Sequence, residues 1–170
     1  MAGVSHLDEI IDDKTKVINM LGTSQKVVGL LLDNPSIDME SDAAYAVFDN
    51  NFFDYDYVDD TLLTATALIL VDVDVQATSS TMDEANLYIQ VVVSKGYMKL
   101  ESTVFKGVKG NRKDNLTRQI DLVLRDSRDF GIGKLEFVSA ITANVPDSLT
   151  SKLITYRIPN FGKDRKLGNG

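Results

Sequence analysis

The chain has 170 residues, 44% hydrophobic and 25% charged, with a net charge of −7, which suits one domain with a buried core. Its lack of cysteine excludes disulfides, thiol nucleophiles and cysteine-ligated metals, and a single histidine, His6, excludes a two-histidine metal site. The longest apolar run, residues 67–71, is too short to span a membrane, and no signal peptide is visible, so we expect a cytosolic protein or one assembled into a particle there.

The first third of the chain predicts two helices followed by an acidic segment. Apolar residues recur at helical spacing over residues 7–21, and Gly22 stands where this helix should end. A short second helix is expected over residues 24–32, because Asn34-Pro35 disfavours its continuation. Residues 49–60 (DNNFFDYDYVDD) alternate aromatic and acidic side chains. This pattern predicts an exposed loop or edge segment anchored by its rings.

The rest of the chain predicts one amphipathic helix, residues 111–126, between two pairs of strands. Asp114–Arg118 and Asp121–Arg125 are spaced to form ion pairs across one turn of this helix. The strands are expected at residues 68–75, 85–94, 135–143 and 153–158. The first two should form a hairpin with a loop of roughly eight to ten residues. The order αα-ββ-α-ββ indicates an α+β fold, an antiparallel sheet of about four strands with helices packed on one face. We expect one domain over residues 1–160 and a C-terminal arm over residues 161–170.

Charge is distributed unevenly along the chain. Residues 1–90 hold 17 acidic and 3 basic residues, and residues 91–170 hold 8 acidic and 15 basic ones, giving net charges of −14 and +7. Separate acidic and basic regions would attract copies of the chain head-to-tail, into a ring or a filament. The alternative is that the two signs neutralise each other within one fold. Scattered basic residues beside a strongly acidic half argue against sequence-specific nucleic-acid binding.

No motif of the chain predicts catalysis or a cofactor. The glycines of residues 131–133 follow a helix and precede a strand, the reverse of a dinucleotide-binding loop. Residues 49–60 lack the glycine and glutamate of a calcium-binding loop. Asp72 and Asp74 lie on one face of a strand, but without a nearby histidine an acidic stripe is favoured over an acid–base pair. We therefore expect a protein that is not an enzyme and holds no metal.

The most distinctive stretch is residues 110–139, GNRKDNLTRQIDLVLRDSRDFGIGKLEFVS. Together with the preceding LILVDVDV and NLYIQVVVS segments and residues 95–98, KGYM, it resembles the tail-terminator (tail-completion) neck proteins of long-tailed bacteriophages. The resemblance covers residues 65–145, about half of the chain. The N-terminal helices and the acidic segment match less specifically.

This resemblance implies a structural virion protein of the phage neck, assembled in the cytoplasm of the bacterial host. Such proteins form a ring, usually of six copies, at the head-proximal end of the tail tube. The ring stops tube polymerisation and joins the tail to the head connector. The implied partners are therefore further copies of the chain, the tail tube protein and the head-closure or connector protein. DNA would pass through the lumen without sequence-specific contact, and no membrane is involved.

Subunit contacts are expected between basic residues of the 111–126 helix and acidic residues upstream. The candidates are Arg112, Lys113, Arg118, Arg125, Asp54, Asp56, Asp72 and Asp74. The alternative is that all of them form a solvated surface. Residues 95–110 and the C-terminal arm are candidate contacts to the tube or the connector.

The sequence is also compatible with three functions other than that of a tail terminator. The first is another neck component, such as a head-closure protein or connector adaptor. The predicted order αα-ββ-α-ββ argues against it, because those proteins use other folds. The second is a non-catalytic protein-binding module, which a monomer without self-affinity would favour. Tight binding of a metal or a nucleotide would favour an enzyme.

Overall fold

A computed structural model of the chain describes residues 6–55, 66–79, 82–130 and 134–161. Within these ranges lie five α-helices: α1 (His6–Gly22), α2 (Gln25–Leu31), α3 (Asp42–Tyr45), α4 (Val47–Asn50) and α5 (Arg112–Leu124). They also hold five strands: β1 (Phe52–Phe53), β2 (Ala67–Ser79), β3 (Met82–Ser94), β4 (Glu136–Thr142) and β5 (Leu149–Phe161). The predicted α+β class and the order αα-ββ-α-ββ are confirmed, with the short α3, α4 and β1 added in between.

The five strands form one sheet in the order β1-β2-β3-β5-β4. The four long strands pair antiparallel, as predicted; Val73 lies opposite Leu87, Leu87 opposite Tyr156 and Tyr156 opposite Phe137. The two-residue β1 pairs parallel to β2, with Phe52 opposite Ile69. β1 lies at the edge of the sheet and its Phe52 is buried, which agrees with the edge segment that was one of the two predictions for residues 49–60. Two adjacent aromatic residues are too few to predict a strand by its period.

The core lies between one face of the sheet and the helices. Alternate residues of the three central strands point into it, and the apolar sides of α1, α2 and α5 cover them, as expected from periods of 2.0 and 3.6 residues. The central members are Val17, Leu21, Val27, Ile69, Val71, Leu87, Ile89, Leu116, Ile120, Leu124, Ile154 and Tyr156. The prediction that the helices pack on one face is therefore confirmed.

The opposite face of the sheet is only partly covered. At one end, four residues form a small second cluster with Phe53 and Val145 against it; they are Leu68, Leu70, Val92 and Leu149. Further along β2 the same face carries Asp72 and Asp74, which are exposed. This face is thus apolar at one end and acidic at the other.

The β2–β3 hairpin and β5 extend beyond their predicted boundaries. β2 continues to Ser79 and β3 begins at Met82, and these two residues are paired, so the expected hairpin loop of eight to ten residues is wrong. Backbone pairing needs no apolar side chains, so it continues past the core into polar sequence that looks like a linker. β5 likewise extends to the buried Phe161, which places this residue in the sheet. Residues 162–170 of the predicted arm lie outside the described part of the chain.

Directly after α2 the chain turns back, and its backbone packs closely against the helix at Gly29. A Cβ atom on Gly29 would lie 2.9 Å from the carbonyl oxygen of Asn34 and from the Cα of Pro35, so only glycine lets the chain fold back this tightly. Asp33, at the turn, has a positive φ of 57°, which aspartate tolerates better than most residues. The prediction that the second helix ends before Asn34-Pro35 is confirmed, and the turn that follows brings Asp33 within reach of α5.

Candidate subunit interface

The four basic candidate residues lie along helix α5 and at its C-terminal end, and their environments differ. Its N-cap, Asn111, accepts a hydrogen bond from the backbone amide of Asp114 at 2.8 Å, which fixes where the helix begins. One side of the helix packs into the core through Leu116, Ile120 and Leu124. The basic residues therefore lie at its buried start, on its flanks and on its exposed side.

Arg112 is buried, with 1% of its surface exposed, so its expected exposed position on the helix is wrong. Its Nε donates to the carbonyl oxygen of Tyr97 at 2.7 Å, and its terminal nitrogens bond to the carbonyl oxygen of Leu30 and the carboxylate of Asp33. Carbonyl groups at the end of α2 lack helical partners and carry the negative end of its dipole. The guanidinium satisfies these groups, so Arg112 is a structural residue of the subunit interior.

Tyr97 completes this buried cluster. Its ring lies 3.7 Å from the guanidinium of Arg112, and its hydroxyl donates to the carbonyl oxygen of Leu31 at 3.0 Å. Burial raises the pKa of Tyr97, with the charge of Arg112 acting in the opposite direction. The cluster ties together α2, the turn Lys95–Tyr97 and α5. The sequence did contain one signal of this role, because a cation in the first turn of a helix opposes the helix dipole unless something else holds it.

Lys113 and Arg125 are both engaged within the subunit. Lys113 is partly buried and donates to the hydroxyl of Thr150 on β5 at 2.8 Å. Arg125 is exposed and pairs with Asp121 at 2.5 Å, which confirms the ion pair predicted for these two residues. Its guanidinium also lies 5.6 Å from the ring of Phe137 on β4. The hydrogen bond and charge of Asp121 raise the pKa of Arg125.

Asp121 also accepts a hydrogen bond from the hydroxyl of the buried Tyr156, at 2.8 Å. Burial and this hydrogen bond raise the pKa of Tyr156 above its ordinary value. The folded protein therefore keeps the phenol protonated, whereas in the unfolded chain it ionises as the pH rises through about 10. The stability that this group contributes is present below about pH 10 and is lost as the solution becomes more alkaline.

We expect Tyr156→Phe to lower the free energy of unfolding by about 1 kcal/mol at neutral pH, through loss of the hydrogen bond to Asp121. This deficit should shrink above about pH 10, because ionisation of Tyr156 then stabilises the unfolded wild-type chain and the variant lacks this hydroxyl. Urea unfolding of both proteins at about pH 8 and about pH 11 measures the effect. A deficit of the same size at both values would contradict the assignment.

Arg118 is exposed and borders a groove of about 570 Å³ between α2, α5 and the 105–109 segment. Its predicted ion pair with Asp114 is not found in the described part of the chain; Asp114 is instead bonded to Asn111. We call this feature the basic groove. Its lining residues are Lys26, Leu30, Pro35, Phe105, Gly107, Val108, Lys109, Asn115, Arg118 and Gln119.

Three of the four acidic candidates come together at the β1–β2 edge of the sheet. The Nζ of Lys14 pairs with the carboxylate of Asp72 at 2.8 Å and donates to the backbone oxygen of Asp54 at 2.9 Å. Asp74 lies two residues beyond Asp72 on the same face, and the exposed Tyr55 follows Asp54. We call Asp54, Tyr55, Asp72 and Asp74 the acidic edge. Asp56 lies outside the described residues.

The acidic edge and the basic groove face different directions. Asp72 and Asp74 point to the face of the sheet opposite the helices, and Arg118 lies on the helical side.

No group of three or more acidic, histidine or cysteine side chains suited to a metal occurs in the part of the chain that is described. Of the described helices, none combines the length and the hydropathy that crossing a membrane requires.

Comparisons with known proteins give one match that shows a family. A chain in the solved structure entitled "Virion of native gene transfer agent (GTA) particle" aligns with 81% of this chain and 94% of its own length, at 16% identity and a TM-score of 0.40. That score is too low to show a shared fold. No curated protein matches. The YomW family model matches residues 18–158. The chain therefore belongs to the YomW family, which is derived from phages.

Proposed function

We propose that this protein is a non-catalytic structural component of a phage-type virion, and specifically a tail terminator of the neck. The observation that carries the proposal is the match to a phage-derived family over residues 18–158. The resemblance of residues 65–145 to tail-terminator proteins supports the more specific role. In this role, the protein forms a ring of six copies at the head-proximal end of the tail tube.

Separate acidic and basic surfaces support assembly into a ring. A contact between two different surfaces of the same chain is heterologous, and it closes into a ring when the rotation between neighbours allows. The acidic edge and the basic groove are two such surfaces of opposite charge. Arg118 is the basic candidate most available for this contact, because Lys113 and Arg125 are held within the subunit.

Strand β4 supports contacts with other neck proteins. It is an edge strand with exposed apolar side chains, Phe137, Val138 and Ile141. Soluble proteins usually protect such edges, and exposed apolar residues in one place mark interaction sites. In the proposed neck, this strand contacts the tail tube protein or the connector. One face of the ring would bind the end of the tube. The opposite face would bind the head connector and not further tube subunits, so the tube would stop growing.

Native mass spectrometry at low and high salt, with negative-stain images of the same samples, tests the proposal. We expect closed rings of six copies that lose subunits as salt increases, because salt screens contacts between exposed charges. A protein that remains monomeric at every salt concentration would contradict self-assembly. That result would favour a non-catalytic protein-binding module, whose partner would engage the exposed edge of β4.

A further inference from the structure

The basic groove has an apolar floor and a cationic rim. The residues of the floor are Leu30, Pro35, Phe105 and Val108. The rim consists of three exposed cations, Lys26, Lys109 and Arg118. The lining residues include no carboxylate that would neutralise these charges. A groove of this kind fits an apolar side chain that has carboxylates beside it.

Ile11 on α1 is an exposed apolar side chain next to the acidic edge. Its exposed fraction is 63%. Lys14 lies one turn further along the same side of the helix, and it joins α1 to the carboxylate of Asp72 and the backbone oxygen of Asp54. Asp8, in the first turn of α1 and one turn before Ile11, is also exposed. Ile11 therefore has acidic residues both on its own helix and at the adjacent edge of the sheet.

We propose that the basic groove receives Ile11 of a second copy of this chain, while Asp8 and the acidic edge of that copy face the cationic rim. The inference rests on the ring proposed above and identifies the apolar part of the contact that closes it. Ile11 lies on Val108, which is 43% exposed and lines the groove. Burial of the isoleucine supplies affinity, and the charges set the orientation of the two copies and the salt dependence of their contact.

The charges beside two other exposed apolar residues make them poor occupants of the groove. Leu122 is 60% exposed, but it lies one turn after Arg118 on α5 and belongs to the same cationic surface. Phe137 lies under the cation of Arg125. The rim of the groove would repel a side chain that brings a cation with it. Ile11 brings carboxylates instead.

Replacing Ile11 with serine tests the apolar contact. We expect Ile11→Ser to raise the concentration needed for ring formation at least about tenfold, because the isoleucine is no longer buried on assembly. Ile141→Ser is the matched control, since Ile141 is 55% exposed and lies on β4, outside the proposed subunit contact. Both positions are exposed, so both variants should fold like the wild type. Native mass spectrometry over a dilution series measures ring formation.

The cysteine-free sequence permits a second measurement by cross-linking. Thr15→Cys places an exposed thiol one turn after Ile11, and Val108→Cys places one in the groove. The two proteins are purified separately, mixed at a concentration that gives rings and treated with a short bis-maleimide, and mixed dimers are identified by mass. A parallel mixture contains Tyr45→Cys in place of Thr15→Cys, because Tyr45 is also exposed and has acidic neighbours in the sequence. Thiols held together in a complex react at an effective concentration of about millimolar. The first mixture should therefore give mixed dimers at least about tenfold faster.

The outcomes separate this inference from the proposed function. Ile11→Ser rings that form at the wild-type concentration, or a Tyr45→Cys mixture that reacts as fast as the first, would overturn the Ile11 contact and leave the ring intact. A wild-type protein that stays monomeric, without cross-linking in either mixture, would overturn both. Adding Arg118→Glu to the Val108→Cys protein should slow the first mixture, and an unchanged rate would contradict the role of the cationic rim.

Discussion

Replacing Arg112 with methionine is expected to lower the free energy of unfolding by about 3 kcal/mol. The side chain is 1% exposed and bonds to two backbone carbonyls and one carboxylate. Methionine fills similar space but donates no hydrogen bond, so the carbonyl oxygens of Leu30 and Tyr97 would lose their partner in the interior. The Asp33 side chain is 43% exposed and can regain water, which keeps the cost near the lower end for a broken buried ion pair.

Thermal or urea unfolding measures this effect, and the melting temperature should fall by about 6–12 °C. Arg128→Met is the matched control, because Arg128 is exposed and surface substitutions usually stay within about 0.5 kcal/mol. Arg112→Lys should fall between the two, since it keeps the charge but loses the planar fork and the stacking on Tyr97. If Arg112→Met and Arg128→Met proved equally stable, the buried cluster would not hold the helices together.

Helices and strands with strong periodicity were predictable from sequence, and weakly patterned ones were not. The predicted 111–126 helix is Arg112–Leu124, and the predicted 85–94 strand is Met82–Ser94. Both carry apolar residues at the period of their structure. β1 has only two residues, which is too short a segment to show a period although Phe52 is buried in the core. The outer half of the β2–β3 hairpin is polar, and it is held by backbone pairing that leaves no apolar pattern in the side chains.

The sequence predicts which charged residues are candidates for the interface, but it does not predict how the fold arranges them in space. Sequence spacing placed Asp72 and Asp74 on one face of a strand, where the structure has them. It gave no indication that Lys14 joins Asp72 to the backbone of Asp54. The position of Arg112 in the first turn of its helix signals only that some group holds this cation. It does not identify α2 as the partner, since these contacts link residues about 80 positions apart. Such pairings depend on tertiary packing, which local propensity does not encode.

Arg118→Glu is expected to raise the concentration needed for ring formation at least about tenfold. Arg118 is exposed, lines the basic groove and has no ion pair among the described residues. Reversing its charge therefore removes an attraction to the acidic edge of the neighbour and introduces a repulsion, while costing the subunit itself little. Native mass spectrometry over a dilution series measures the change.

Arg128→Glu is the control for the change in net charge, because Arg128 is exposed and does not line the groove. Both variants should unfold within about 0.5 kcal/mol of the wild type. Adding Asp54→Arg to Arg118→Glu should restore part of the association if the two residues face each other across the contact, since the pair then has opposite signs again. Rings that form equally well from both single variants would show that the groove lies outside the subunit contact.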